Sequence, residues 1–122
     1  MLFKECYDTF GGSYESVRQR ISKDEVIKKF VIKFLAESSY DKLRQAIENE
    51  DYVGAFNAAH ALKGVSQNLS FERLGKSSSD ITEYLRNSNE KRIDRQKCDE
   101  LFSHVSEDYR AVTEAIRQLD TE

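Results

Sequence analysis

The chain contains no proline and only five glycines in 122 residues. Proline and glycine interrupt helices, whereas the abundant Glu, Lys, Arg, Leu and Ala residues favour them. The composition therefore predicts an all-α chain. At this length we expect a single domain over residues 1–122, which is large enough to bury a hydrophobic core.

Cysteine and histidine are scarce as well. Cys6 and Cys98 lie far apart and lack the spacing of metal ligands, so we interpret them as free thiols of a reducing compartment. His60 and His104 do not belong to a His-x-x-x-His or Glu-x-x-His pair, and we interpret His104 as a boundary or surface residue. The sequence predicts no metal site and no cofactor.

An excess of positive charge is also missing, since 19 basic residues face 22 acidic ones and the net charge is -3. Without a basic face to displace counterions, nucleic acid is excluded as a partner. No apolar stretch reaches the roughly 20 residues that span a bilayer, and no signal peptide is recognisable. We therefore expect a cytoplasmic protein without a membrane partner.

Glycine-rich phosphate loops are absent too, because Gly11-Gly12 is an isolated turn. The sequence thus predicts that the protein does not bind ATP and is not a kinase by itself.

The apolar residues recur at helical spacing along most of the chain. This pattern predicts an up-and-down antiparallel four-helix bundle over about residues 22–119, with one or two short additional helices at the amino end and an ordered lead-in over residues 1–12. Ser13, Ser22, Ser38 and Asp51 are the expected N-caps of the first four helices. The predicted helices cover residues 13–21, 22–37, 38–50, 51–69, 71–86 and 95–119, with a polar loop over residues 87–94.

The second predicted helix has a broad apolar face, wide enough to contact two neighbours. We expect the following side chains to point inward: Val26, Ile27, Phe30, Val31, Phe34 and Leu35.

The helix over residues 51–69 carries the residues that could perform chemistry. With Leu62 at the centre of the buried face, His60 lies about 160° away and is expected to point outward. The residues expected to share the buried face with Leu62 are Ala55, Ala58, Ala59, Val65, Ser66 and Leu69.

Gly64 lies one turn after His60 on the same side. A glycine inside an exposed helix costs about 1 kcal/mol relative to alanine, so it needs another justification. One is a partner that must approach the backbone closely; the alternative is that Gly64 ends the helix as a C-cap. Val65 and Leu69 keep the helical phase past the glycine, which favours the close approach.

A mostly neutral imidazole on an open helix face can act as a nucleophile, and Lys63, one turn on, offers a charge suited to phosphoryl oxygens. The alternative is an ordinary exposed histidine with a nearby lysine. Phe56, Asn57 and Gln67 complete a small, mostly uncharged surface around His60 that suits a transient contact. Phe56 could instead pack against an adjacent helix.

The run His60-Ala-Leu-Lys63-Gly64-Val-Ser-Gln67-Asn-Leu resembles the signature of the histidine-containing phosphotransfer (HPt) domain family of two-component phosphorelays. The resemblance implies that His60 carries the phosphoryl group, that Lys63 supports the phosphate, and that Gly64 leaves room for the receiver domain. Arg86 matches a basic residue near the end of the next helix and is included among the partner-binding residues.

The same resemblance implies a phosphorelay intermediate. It accepts a phosphoryl group from, and passes it to, aspartates of response-regulator receiver domains, with a hybrid histidine kinase as a possible upstream partner. The metal ion and acidic pocket of the reaction would belong to the receiver. We expect the chain to act as a monomer. The alternatives are a bundle that docks on a receiver or other partner without carrying phosphate, and a helical structural protein.

Two positions depart from the family pattern. Ser70 stands where a glycine is common, and we expect its side chain to cap the following helix. Thr82 stands where an acidic residue is common, and Glu83 is expected to point elsewhere, about 100° away.

Overall fold

Helices form all the regular secondary structure of residues 2–120, the part of the chain that the computed structural model describes; the ends of the predicted domain, residues 1, 121 and 122, lie outside it. None of the described helices combines the length and the apolar character needed to cross a bilayer. The helices are α1 (Phe3–Thr9), α2 (Tyr14–Arg20), α3 (Asp24–Lys33), α4 (Ser39–Glu48), α5 (Tyr52–Asn68), α6 (Glu72–Leu85) and α7 (Arg95–Asp120), with 3-10 turns at Phe34–Ala36 and Ser88–Glu90.

The last four helices contact one another in a closed ring. α5 packs against both α4 and α6, α6 packs against α7, and α7 returns to α4. The amino-terminal helices are added to this group, since α1 and α3 contact α7 and α2 joins α1 to α3. The all-α prediction is confirmed, and the helix α5 lies between two neighbours with one side left uncovered.

The helix α5 begins and continues as the sequence predicts. The Asp51 side chain accepts a hydrogen bond from the backbone N of Gly54 at 2.9 Å, so Asp51 is the N-cap. The predicted buried face is largely confirmed, because Leu62 and the four residues Ala55, Ala58, Ala59 and Ser66 are buried, as is Leu69, while Val65 is half-buried. This face fixes which side of the helix remains for other uses.

The lead-in predicted over residues 1–12 contains the helix α1. The backbone N of Leu2 donates to the Glu5 carboxylate at 3.1 Å and thereby helps to start the helix. Tyr7 and Phe10 are completely buried, and their rings pack on Phe71 with centroid distances of 5.8 and 5.0 Å. The amino-terminal residues therefore belong to the core.

We call the contact between this segment and the α5–α6 turn the N-terminal junction. The Tyr7 hydroxyl donates to the carbonyl of Leu69 at 2.8 Å, and the Ser13 backbone N donates to the carbonyl of Ser70 at 2.9 Å. In the other direction, the Arg73 backbone N donates to the carbonyl of Gly11 at 3.1 Å. These bonds satisfy polar groups that the packed rings shield from water.

The prediction for the second helix is partly wrong. Helix α3 ends at Lys33, and Lys23 rather than Ser22 occupies the N-cap position without a side-chain hydrogen bond. Val26 and Phe30 are 38% and 45% exposed instead of inward. The inward face is therefore the narrower stripe of Ile27, Val31 and Phe34, all of which are buried. The predicted contact with two neighbours is present, since α3 packs against α2 and α7.

Two further serine caps depart from the prediction to different degrees. Ser38 occupies the N-cap position of α4 as predicted but makes no side-chain capping bond; the Glu37 carboxylate instead accepts from the backbone N of Ser39 at 2.6 Å. Ser70 is in the left-handed region with φ 58°, and Phe71 is the N-cap of α6. The Ser70 hydroxyl contacts α2 instead, since it donates to Ser16 at 2.9 Å and accepts from Arg20.

Candidate functional site

His60 lies in the middle of α5 and is exposed, as predicted. Leu62, two residues on, is completely buried and fixes the rotation of the helix. The Phe56 ring lies one turn before the imidazole, with centroids 5.9 Å apart and planes tilted by 46°. Phe56 is half-buried against the core, which confirms that it packs inward, while a role in docking stays a prediction.

Gly64 lies within the helix, which continues to Asn68 and has Leu69 at its C-cap. The alternative that Gly64 itself ends the helix is therefore wrong. A Cβ built on Gly64 would find no atom within 4 Å, so no packing inside the protein requires a glycine here. The backbone beside His60 is thus left bare toward open space, at a cost in helix stability of about 1 kcal/mol.

The helix α6 brings an ion pair to the same surface. The guanidinium of Arg86 donates to both carboxylate oxygens of Glu83, at 2.9 and 3.1 Å, and lies over the Phe56 ring with its Cζ 5.2 Å from the centroid. The hydrogen-bonded Arg86 lowers the pKa of Glu83 below its ordinary value; desolvation opposes this, and the nearby Lys63 and His60 lower it further. Glu83 therefore lies within electrostatic reach of the imidazole.

The expectation for positions 82 and 83 is corrected by this arrangement. Thr82 is completely buried, and its hydroxyl donates to the carbonyl of Ser78 at 2.6 Å. Because position 82 faces the core, the 100° offset turns Glu83 toward the surface that carries His60. The sequence contained a usable signal, since Glu83 and Arg86 are three residues apart and such pairs meet on a helix surface.

Asn57 and Gln67 lie on opposite sides of the His60 surface, and both are exposed. Asn57 lines a shallow depression between α5 and α4 that also includes Lys42. Gln67 lines a second depression on the α6 side, together with Arg20. Lys63 is half-buried and lies three residues after His60 on α5.

The site offers a nucleophilic ring nitrogen, cations on the α5 and α6 sides, and access from solvent. Among the side chains that the structure describes, within residues 2–119, no three His, Cys, Asp or Glu residues come together in a way that could hold a metal ion. The arrangement defines an all-helical domain that presents one imidazole from the middle of a helix, with a bare backbone turn beside it.

Comparison with protein families identifies this class. The family model described as the Hpt domain matches residues 33–122, so the chain belongs to the Hpt domain family. The comparison with curated proteins gave no match, and neither did the comparison with solved structures. Membership carries a phosphotransfer role in two-component signalling, in which Hpt domains interact with response-regulator receivers.

Proposed function

We propose that this protein is a phosphorelay intermediate in which His60 accepts a phosphoryl group from the aspartate of one receiver domain and passes it to the aspartate of another. The observation that carries the proposal is the exposed imidazole of His60 beside the bare turn at Gly64, in a chain of the Hpt family. A transient phosphoryl exchange between two proteins needs an accessible imidazole and a backbone that the partner can approach.

In the proposed reaction, Nε2 of His60 attacks the phosphorus of an aspartyl phosphate roughly in line. The N–P bond forms as the bond between phosphorus and the carboxylate oxygen breaks, and the electron pair leaves with the aspartate. Lys63, one turn along α5, offsets negative charge on the transferring oxygens. By resemblance to the family, the receiver contributes the metal ion and the acidic pocket, and the return step is the reverse reaction.

The docking surface we propose surrounds His60 and includes Phe56, Asn57, Gly64, Gln67 and Arg86. Gly64 supports this assignment because the surface next to it is open. The half-buried Phe56 supplies an apolar contact, while Asn57 and Gln67 supply uncharged polar groups on either side. Such a surface fits a contact that forms and breaks with each transfer.

The proposal includes the arrangement of the four long helices. The contacts that link α4 to α5, α5 to α6, α6 to α7 and α7 to α4 support an up-and-down four-helix bundle. We further propose that residues 1–122 form one domain that acts as a monomer in the cytoplasm, with a hybrid histidine kinase upstream. The alternative function is a docking module of the same shape that binds a receiver without carrying phosphate.

The test incubates the protein with a phosphorylated receiver domain and follows the phosphoryl group. We expect a phosphoprotein that is stable in base and labile in acid, as a phosphoramidate is, and that is missing in His60→Gln. His104→Gln is the matched control, since His104 is also exposed, on α7. Transfer that persists in His60→Gln would remove His60 from the mechanism, whereas binding without transfer would favour the docking module.

A further inference from the structure

Arg86 is held in one position by contacts to α6 and α5. Its guanidinium makes two hydrogen bonds to the Glu83 carboxylate and covers the face of Phe56, whose other neighbour is the imidazole of His60. Both Glu83 and Arg86 are exposed, so packing does not force this geometry. The bidentate bond and the ring together hold a planar cation over Phe56, one turn before His60.

We propose that Glu83 is a positioning residue for the phosphoryl chemistry of His60: it holds Arg86 over Phe56, one turn from the imidazole, in the free protein and yields it to the phosphoryl oxygens once His60 is phosphorylated. This inference rests on the proposed function of His60. No covalent bond changes in this step. One ion pair replaces another, and the Glu83 carboxylate becomes solvated.

The exchange follows from the charges around the ring. A phosphoryl group on His60 carries more negative charge than the Glu83 carboxylate and offers oxygens that suit the same two N–H donors. The Glu83 carboxylate would also repel this group, because like charges repel and the nearby Lys63 and His60 already contribute to lowering the pKa of Glu83. Arg86 bonds Glu83 through its Nε and one Nη. Repulsion between the phosphoryl group and the Glu83 carboxylate disfavours an arrangement in which Arg86 holds both, so in the proposal Arg86 moves from Glu83 to the phosphoryl oxygens.

Competition of this kind has a consequence for transfer. If Arg86 had no partner before phosphorylation, its full attraction would stabilise phosphorylated His60 and hinder passage of the group to a receiver. Because the Glu83 contact must be given up first, part of that attraction is cancelled. Glu83 thus keeps the phosphoryl group transferable, and it does so through Arg86.

The first measurement is the side-chain Nε–Hε NMR signal of Arg86, identified by its absence in Arg86→Lys. The full chain is phosphorylated at pH 8 with phosphoramidate, a small donor that needs no receiver. At that pH the Glu83 carboxylate is ionised, since its pKa is lowered. We expect the Arg86 signal of the free protein to move in Glu83→Gln, and the signal of the parent to move on phosphorylation.

The second measurement is the partition of the phosphoryl group between His60 and a receiver domain at equilibrium. We expect Arg86→Gln to shift the ratio about fivefold toward the receiver and Glu83→Gln to shift it about threefold toward His60, as for exposed charge-assisted contacts. Arg86→Lys should recover part of the loss, because it keeps the charge without the fork of donors.

The double variant Glu83→Gln/Arg86→Gln separates positioning from simple repulsion. If Glu83 acts through Arg86, the effect of Glu83→Gln largely disappears in the Arg86→Gln background. An unchanged effect there, or an Arg86 signal that stays the same when His60 is phosphorylated, would overturn the inference and leave the proposed function intact. Failure of the parent to take up the group on His60 would instead overturn the proposed function, and the inference with it.

Discussion

Two glycines show how differently two regions of this molecule use the absence of a side chain. At the N-terminal junction, a Cβ on Gly12 would lie 2.7 Å from the rings of Tyr7 and Phe10 and 3.0 Å from the carbonyl of Ser70. On the outer face of α5, a Cβ on Gly64 would meet no atom within 4 Å. Packing inside the fold requires a glycine at position 12, whereas no packing inside the fold requires one at position 64.

The N-terminal junction and the face around His60 should therefore affect different properties of the protein, namely stability and phosphoryl transfer. The junction is closed by internal contacts, so changes there should appear in the free energy of unfolding. The face around His60 makes few internal contacts, so changes there should appear in transfer rates while the fold persists.

The largest effect is expected for Gly12→Ala, which should lower the free energy of unfolding by about 2 kcal/mol, because overpacking displaces the rings of Tyr7 and Phe10. Urea unfolding measures the change. The phosphoryl transfer rate per folded molecule should stay the same, since His60 lies elsewhere. A stability within a few tenths of the parent's would show that the junction is looser than described.

Gly64→Gln should slow transfer to a receiver by about tenfold, since the added side chain occupies the space that the partner needs. Its free energy of unfolding should be equal to the parent's or higher, because any residue but proline suits a helix better than glycine. Gly64→Ala is the smaller control: it should stabilise the protein by about 0.5–1 kcal/mol and slow transfer less. Parent-like rates in Gly64→Gln would contradict the close approach.

Tyr7→Phe should lower the free energy of unfolding by about 1 kcal/mol, because the carbonyl of Leu69 loses its 2.8 Å bond while the ring packing remains. Thermal unfolding followed by circular dichroism provides the measurement. Tyr14→Phe is a useful comparison, since that hydroxyl bonds the exposed Asp24 instead. Equal losses in the two variants would argue against a special role of the buried bond.

The smallest effect concerns Cys98, which lies inside the bundle on α7. Burial raises the pKa of its thiol to about 11, so the reactive thiolate is scarce at pH 8. In the folded protein we expect labelling by a thiol reagent to be much slower than in urea, and to speed up as the pH rises toward 11. Rapid labelling at pH 8 without denaturant would show that this part of the core opens.

The sequence was sufficient for α5 because its information is local. The stripe around Leu62, the cap at Asp51 and the phase beyond Gly64 all lie within one helix, and each follows from helical periodicity. The same holds for α7, whose apolar series begins near Cys98 and ends near Leu119. The outward position of His60 could therefore be predicted, whereas its phosphorylation stays a proposal.

The features that escaped prediction depend on contacts between distant parts of the chain. The bond from Tyr7 to Leu69 joins residues 62 positions apart, and nothing near Tyr7 in sequence indicates it. Ser70 resembled a helix cap, but its left-handed backbone and its bonds to α2 arise only after the amino-terminal segment has docked. Glu83 is a different case, because its spacing of three from Arg86 was a local signal that the prediction from sequence did not use.

The buried rings of Tyr7 and Phe10 show that the hydrophobic core extends over more of the chain than the segment that matches the family model. The family match starts at residue 33, yet these rings, together with Val17 and Ile27, are completely buried before that point. A truncated chain that began at Lys33 would expose the apolar surface around Phe71 to water. Such a fragment would keep every residue of the phosphorelay signature, but its exposed apolar surface would make it prone to aggregation.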